Sequence, residues 1–313
     1  MSRTLLSLVV PFYNEEDAIP AFFAEVVPAL EAIDATEFEI VCVNDGSKDR
    51  TLPLLVDAAD ADPRVRVIDL SRNFGKEAAL SAGLTESRGD IVVPFDADLQ
   101  DPPEVIAQLV SKWREGFDVV LAKRSDRSSD TYLKRKSAVS FYRLHNKLAD
   151  VKIPENVGDF RLMTREVVDT LNALPESRRF MKGLFAWVGF RTAEVAYVRS
   201  SRVAGETKFS GWKLWNFALE GITSFSTVPL RMWTYFGLMV AASSFLYAAY
   251  LVIRTLVRGI DVPGYASIFV SLLFFSGVQM IGIGVIGEYI GRIYLESKRR
   301  PLYVIRRRYG KEA

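Results

Sequence analysis

The sequence predicts an α/β fold: a mostly parallel sheet with flanking helices, followed by an amphipathic juxtamembrane helix and a two-helix transmembrane hairpin. Three observations predict it. Short apolar runs alternate with helix-length segments up to about residue 125, the pattern of βαβ units. Two later runs, Met232 to Ile253 and Val262 to Gly287, hold no ionisable group except tyrosine, and each exceeds the roughly 20 residues a spanning helix needs. Hydrophobic residues make up 49% of the 313-residue chain against 25% charged, which supplies a core and excludes a disordered composition.

In chain order, Leu6 to Val10 is a strand-length apolar run that stops at Pro11 and a polar turn, too short for a cleavable signal peptide. A helix is expected over Glu15 to Ile33, started by Asn14 and Asp17. Phe38 to Val43 reads as the second strand, ended by the turn pair Asp45-Gly46. Ser47 and Asp49 precede a helix over Thr51 to Ala61, and Val65 to Leu70 is the third strand. Glu77 to Thr85, closed by Gly89, is the third helix, and Ile91 to Phe95 the fourth strand. Asp101 before Pro102-Pro103 reads as the cap of a helix over Glu104 to Arg114, closed by Gly116 before a fifth strand over Val119 to Ala122. These elements belong to a first domain, residues 1–210.

The juxtamembrane segment, 211–231, contains Trp212 to Phe225, where Lys213, Asn216 and Glu220 form one stripe and Trp215, Leu219 and Ile222 another. That helix either lies in the membrane interface or packs on the first domain. The spans, about 232–253 and 262–287 within a 232–289 segment, form a hairpin that returns both flanks to one side. A basic tail, 290–313, follows. After Gly287 there are eight Lys or Arg against three Glu, so the net +2 of the chain hides a positive end on a slightly negative body. The Lys/Arg bias places the first domain and the tail in the cytoplasm, and the membrane surface is the tail's expected partner. No zinc-finger spacing or RNP-type aromatic motif accompanies it, so nucleic acid is not expected. Glycines 277, 282, 284, 287 and 291 suggest close helix packing and a homo-oligomer.

With one cysteine, Cys42 in an apolar run, and one histidine, His145, neither a disulfide framework nor a histidine-rich metal site is available within the chain. The chemistry is carried by carboxylates. Asp96 and Asp98 end the strand-like run before Leu99-Gln100, two residues apart and so on one face of extended backbone. At the carboxyl end of a strand in an α/β sheet such a pair suits a hard divalent cation that also grips substrate phosphates. Alone, the pattern is weak, since acidic residues also begin loops.

Four strand-end segments read together are more specific: Pro11-Phe-Tyr-Asn-Glu15, Val43-Asn-Asp-Gly-Ser47, Arg72-Asn-Phe-Gly-Lys76 and Asp96-Ala-Asp-Leu-Gln100. In order and wording they resemble family-two glycosyltransferases of the GT-A (Rossmann-like) fold, in the branch that holds dolichyl-phosphate mannose synthase and bacterial bactoprenol glucosyltransferases. The resemblance covers essentially the whole chain. It implies that Pro11, Tyr13, Glu15 and Asp45 line the base and ribose site and that Lys76, Ala97 and Arg124 complete the nucleotide-sugar site. It further implies that Asp96, Asp98 and Gln100 hold Mg2+ or Mn2+. Asp159, in Gly158-Asp-Phe-Arg-Leu162, corresponds to the aspartate at the reacting centre, with an Arg161-paired turn as the other reading. Arg202 and Lys208 resemble the basic loop that holds the acceptor phosphate; Glu206-Thr207 departs from the small residue and serine found there in many relatives.

The implied reaction is inverting transfer of a sugar, glucose from UDP-glucose, onto undecaprenyl phosphate, a polyprenyl phosphate of the plasma membrane. GDP-mannose is the alternative donor. A processive polysaccharide synthase would need a Gln-x-x-Arg-Trp motif and more spans. A non-catalytic nucleotide-binding scaffold or flippase is the reading from another class; two charge-free spans make a poor polar pathway, with Glu288 and Arg292 the nearest ionisable pair.

Overall fold

The computed structural model describes residues 3–125, 157–176, 179, 181–198, 228–258 and 264–310. His145, the acceptor-loop residues Arg202 and Lys208, and the Trp212 to Phe225 helix lie outside them. The first domain is built on one sheet. Strands β1 (Thr4–Phe12), β2 (Thr36–Asn44), β3 (Val65–Leu70) and β4 (Ile91–Pro94) run parallel and alternate with helices α1 (Ile19–Glu31), α2 (Thr51–Ala61) and α3 (Lys76–Glu86). Helix α4 (Val105–Arg114), β5 (Val119–Arg124), β6 (Val157–Thr164), α5 (Arg165–Ala173), α6 (Met181–Trp187) and β7 (Thr192–Tyr197) follow. Together with a C-terminal strand, β8 (Ile305–Tyr309), the order is β7-β5-β6-β4-β1-β2-β3-β8. Among the described strands only β6 and β8 run against their neighbours, so the expected mostly parallel sheet is found.

Both faces of the sheet are buried, which is why the central strands are mostly apolar rather than alternating, with the buried Ser7, Glu39, Arg66 and Asp69 among the polar exceptions. Leu6, Leu8, Val10 and Phe12 of β1 pack against α1, α2 and α4, while Val9 points to α3 and α5 on the other face. Under the carboxyl edge of the strands runs an aromatic chain: Phe12, Phe22, Phe95, Phe160 and Tyr197, with ring centroids between 5.3 and 6.3 Å and mostly edge-to-face. Such contacts are worth about 1 kcal/mol each beyond area burial. They join β1, α1, the residue that follows β4, β6 and β7.

Several helix starts differ from expectation. Helix α1 begins at Ile19 rather than Glu15, has Pro20 in its first turn, and has no side-chain cap at Ala18. Asn14, expected as its start, is instead in the left-handed region (φ 53°) and accepts the Lys48 N–H at 2.9 Å. Its capping chemistry is spent between loops. Likewise Glu104, not Asp101, is the N-cap of α4; Asp101 is buried and accepts the Tyr197 hydroxyl at 2.5 Å.

Two long helices, α7 (Val228–Arg258) and α8 (Tyr265–Ser297), occupy the expected hairpin region. Among the described residues one stretch, Phe274–Ser297 in α8, is long and apolar enough to cross a membrane, and α7 contributes the shorter Tyr235–Ser244. That is one such stretch where the sequence predicts two. The Trp233 indole of α7 lies where a side chain on Gly282 would stand, so this glycine serves helix pairing within the hairpin.

The tail is not simply a charged extension. Ile305–Tyr309 pairs antiparallel with β3, and arginines expected to face a membrane surface are used inside the fold: Arg308 forks onto Glu86 at 2.7 and 2.9 Å, holding that carboxyl below its ordinary range.

Candidate active site

In a parallel sheet the carboxyl ends of the strands form a common crevice. Here β1, β2, β3, β4 and β5 end along one edge at Phe12, Asn44, Leu70, Pro94 and Arg124. Because β6 is antiparallel, its start rather than its end reaches that edge, with Val157 opposite Lys123. This brings Asp159 beside residues more than sixty positions earlier in the chain.

The centre is a three-residue ion cluster. Lys76 Nζ lies 2.7 Å from Asp96 Oδ1 and 2.9 Å from Asp159 Oδ2. Burial pulls the Lys76 ammonium's pKa down, but the two carboxylates outweigh it and hold the group above the ordinary lysine value, charged. Lys76 is the first residue of α3, reached through Gly75 at φ 97°, a conformation that favours glycine. Asp98 and Gln100 follow on the loop after β4, where Leu99 at φ 51° turns the chain and the Gln100 N–H reaches Asp98 Oδ1 at 3.3 Å. Ala97 is buried beneath them. Among the described residues no three His, Cys, Asp or Glu side chains converge as a ready-made metal cage.

Asp45 is 2% exposed, and its two oxygens accept the N–H groups of Phe74 (2.7 Å) and Gly75 (2.9 Å). Burial raises its pKa and these bonds oppose the rise. Expected to touch a base or ribose, Asp45 here holds the loop that presents Lys76. Gly46 makes the approach of the two loops possible: a Cβ there would collide with the Arg72 carbonyl carbon.

On the other side of this junction the β1 and β2 loops are cross-laced. Besides the Asn14 bond, Asn14 N–H reaches Ser47 Oγ (3.1 Å), Glu15 N–H reaches Thr51 Oγ1 (2.9 Å), and the Arg50 N–H reaches Glu16 (2.9 Å). Pro11, paired with Val43, is the last residue but one of β1, and Tyr13, just past the strand's end, is 44% exposed. Glu15, two residues on, is half-buried.

Arg124, expected at the diphosphate, lies at the same edge. Burial lowers its pKa, but the Tyr197 hydroxyl, 3.3 Å from Nε, and the nearby Asp101 and Asp96 charges outweigh it and hold the group above its ordinary value. Tyr197, which sequence reasoning does not single out, is pushed up to about 12 by burial and the Asp101 carboxylate. Nothing in its alternating strand marks it. Arg161 is the sequence's alternative partner for Asp159; the structure has its guanidinium donating to the Gly158 carbonyl (2.7 Å) and lying 4.0 Å over the Phe185 ring. Burial lowers it to about 10, with the Asp159 charge opposing, so it remains a cation at neutral pH. It clamps the start of β6, the strand that carries Asp159.

Comparison with known proteins identifies the family. Residues 7–171 match Glycosyl transferase family 2, and residues 228–293 match the GtrB C-terminal hairpin. The chain is 60% identical over 301 residues to a bactoprenol glucosyl transferase of Shigella phage SfV, covering 96% of this chain and 98% of that one. It is 57% identical over 302 residues to a prophage bactoprenol glucosyl transferase homolog of Escherichia coli K12, covering 96% and 98%. Among solved structures, a mannosyltransferase from Pyrobaculum calidifontis in complex with GDP-Man and Mn2+ shares the fold, with a TM-score of 0.50 at 18% identity over 96% of this chain and 85% of that one.

Proposed function

The chain belongs to glycosyltransferase family 2, and from that premise we propose that it transfers glucose from UDP-glucose to undecaprenyl phosphate, with inversion at the sugar carbon. The observation that carries the proposal is the Lys76–Asp96–Asp159 cluster at the carboxyl edge of the sheet, on a chain so similar to proteins named bactoprenol glucosyl transferase.

A metal fits the residues present. Asp96, Asp98 and Gln100 offer only oxygen donors, the chemistry of a hard divalent ion, and the ammonium 2.7 Å from Asp96 marks that carboxylate as facing a cation position. These three residues would hold Mg2+ or Mn2+, which when bound supplies charge neutralisation for the departing diphosphate. Lys76, beside Asp96, would assist the same charge, and Arg124 would extend the positive edge. Pro11, Tyr13 and Glu15 line the base and ribose; Asp45 acts from below, through the loop it holds.

The acceptor phosphate forms the new bond to the sugar carbon while the bond to the diphosphate breaks. With a second pKa near 6 a phosphate monoester is already largely dianionic at neutral pH, so no proton needs removing. Asp159 therefore positions the reacting groups, its charge offset by Lys76. Arg202 and Lys208 are the residues we assign to the acceptor phosphate.

The strand pairing supports a membrane arrangement. Because β8 pairs with β3 of the first domain, the chain leaves and returns on one side, which requires an even number of crossings. We assign two, through α7 and α8, with the catalytic domain and tail on the cytoplasmic face of the inner membrane. Eight positions separate the end of α8 from the start of β8, a reach of at most roughly 28 Å. Since β8 enters the sheet opposite Leu70, the catalytic edge lies near the bilayer, where a lipid phosphate arrives.

The test is transfer by purified full-length protein to undecaprenyl phosphate in detergent with Mg2+, comparing labelled UDP-glucose with GDP-mannose. Glucose transfer that Asp96→Asn reduces by about a thousandfold or more is expected, with Asp159→Asn retaining substantial rate. Transfer from GDP-mannose alone would overturn the donor, and nucleotide binding without any lipid product would overturn the reaction.

A further inference from the structure

The ladder between β3 and β8 is irregular at one point. Arg307 stands opposite Asp69 and Ile305 opposite Leu70, so Arg306 is the extra residue of a bulge. Bulges re-aim side chains, and this one turns Arg306 back along the end of β3. Its Nη2 donates to the Ser71 carbonyl at 2.6 Å, its Nη1 lies 3.7 Å from the buried Asp69 Oδ2, and the Val304 carbonyl accepts the Ser71 N–H at 2.9 Å. Ser71 is the residue from which the Arg72–Lys76 loop departs. Asp69 in turn accepts the Asn44 side-chain amide at 2.8 Å, beside Asp45, which grips the far end of the same loop. The loop is thus held at both ends, at Asp45 by the domain's own β2 and at Ser71 by chain that has come back from the helical hairpin.

We propose that β8 is a positioning element of the active site: Arg306 fixes the root of the Arg72–Lys76 loop so that Lys76 meets Asp96 and Asp159, and the site is complete only when the chain has returned from the hairpin. Arg306 touches no reacting atom; it acts through Ser71 and Asp69. The inference rests on family membership and the geometry of the loop, not on the identity of sugar or lipid.

Arg308 supplies the control. It belongs to the same strand and ties β8 to Glu86 at the far end of α3, away from the loop. The experiment measures amide hydrogen exchange of residues 71–76 and transfer kinetics in full-length Arg306→Ala, Arg306→Lys and Arg308→Ala proteins in detergent. Arg306→Ala raises exchange at Phe74 and Gly75 and lowers kcat, each by about tenfold, with KM for the nucleotide sugar little changed and partial rescue by lysine. Arg308→Ala leaves both readouts near wild type. Unchanged loop exchange in Arg306→Ala, or equal effects from Arg308→Ala, would overturn the proposal in favour of simple strand stability. Exchange at the loop reads its anchoring without turnover, so it distinguishes failure of this proposal from a wrong choice of donor or acceptor.

Discussion

The two halves of the catalytic edge are held by different physics. On the nucleotide side the loops after β1 and β2 are laced by short hydrogen bonds between backbone N–H groups and fixed side-chain acceptors such as Asn14, Ser47 and Thr51. On the transfer side the geometry rests on one ammonium between two carboxylates. The first half is preorganised. The second is poised: its ion pairs occupy the groups that the proposed reading assigns to metal and phosphates, so on that reading they rearrange when substrate binds. Such a division suits an enzyme whose donor binds a ready surface while the reacting centre assembles around charge.

The sharpest way to break the comparison is to remove the central charge. Lys76→Met should lower kcat by roughly a hundredfold, since an aligned cation at a departing diphosphate is lost. In the same variant Mn2+ binding should tighten by several-fold, because the ammonium no longer competes for Asp96. Electron paramagnetic resonance titration of Mn2+ reads this without any turnover. Weaker Mn2+ binding would show instead that Lys76 organises the two carboxylates for the ion, and the poised description would fail.

A smaller effect is expected on the laced side. Asn14→Ala removes the acceptor for Lys48 N–H and leaves a Cβ-bearing residue without asparagine's tolerance of the left-handed region (φ 53°), a loss of about 1 kcal/mol. With neutral bonds supporting a preformed nucleotide surface, KM should rise several-fold while kcat stays near wild type. A fall in kcat at unchanged KM would show that lacing and cluster act as one unit.

The same contrast explains what could be read in advance. Strand positions were legible because both faces are covered, so Leu6 to Val10, Val65 to Leu70 and Ile91 to Phe95 are mostly apolar, broken only by Ser7, Arg66 and Asp69, whose side chains pair with Glu39 and Asn44 inside the fold. The position of Asp96 and Asp98 just past the carboxyl end of β4 was legible from the run that precedes them. Roles that depend on which loops meet were not. Asn14 and Asp101 have the chemistry of caps, and only the approach of Lys48 and Tyr197 decides otherwise. Least legible was Ile305-Arg-Arg-Arg-Tyr309, since charge disfavours strand formation in isolation. At a sheet edge the same charges are acceptable, because they face solvent or acidic partners and discourage pairing with another chain. The pairing is dictated by β3 and Glu86, residues more than two hundred positions away.

That strand offers the mildest perturbation of the poised side. Hydrogen bonds from Arg308 hold the Glu86 carboxyl below its ordinary value of 4.5, against burial that would raise it. A group with a depressed folded pKa contributes stability that is fully present above the unfolded value and lost as pH falls through the folded one. Above about pH 5.5 the Glu86–Arg308 tie is therefore complete, and on acidification below about pH 4.5 it weakens. Exchange at Arg307 and Tyr309 amides should rise there in wild-type protein more than in Glu86→Gln, where the charge is already absent. The Lys48–Asn14 and Asn14–Ser47 bonds involve no titrating side chain, unlike the neighbouring Arg50–Glu16 bond, and the Lys48 and Asn14 amides should keep their exchange across that range. An equal response of both halves to acid would mean that charge does not distinguish them.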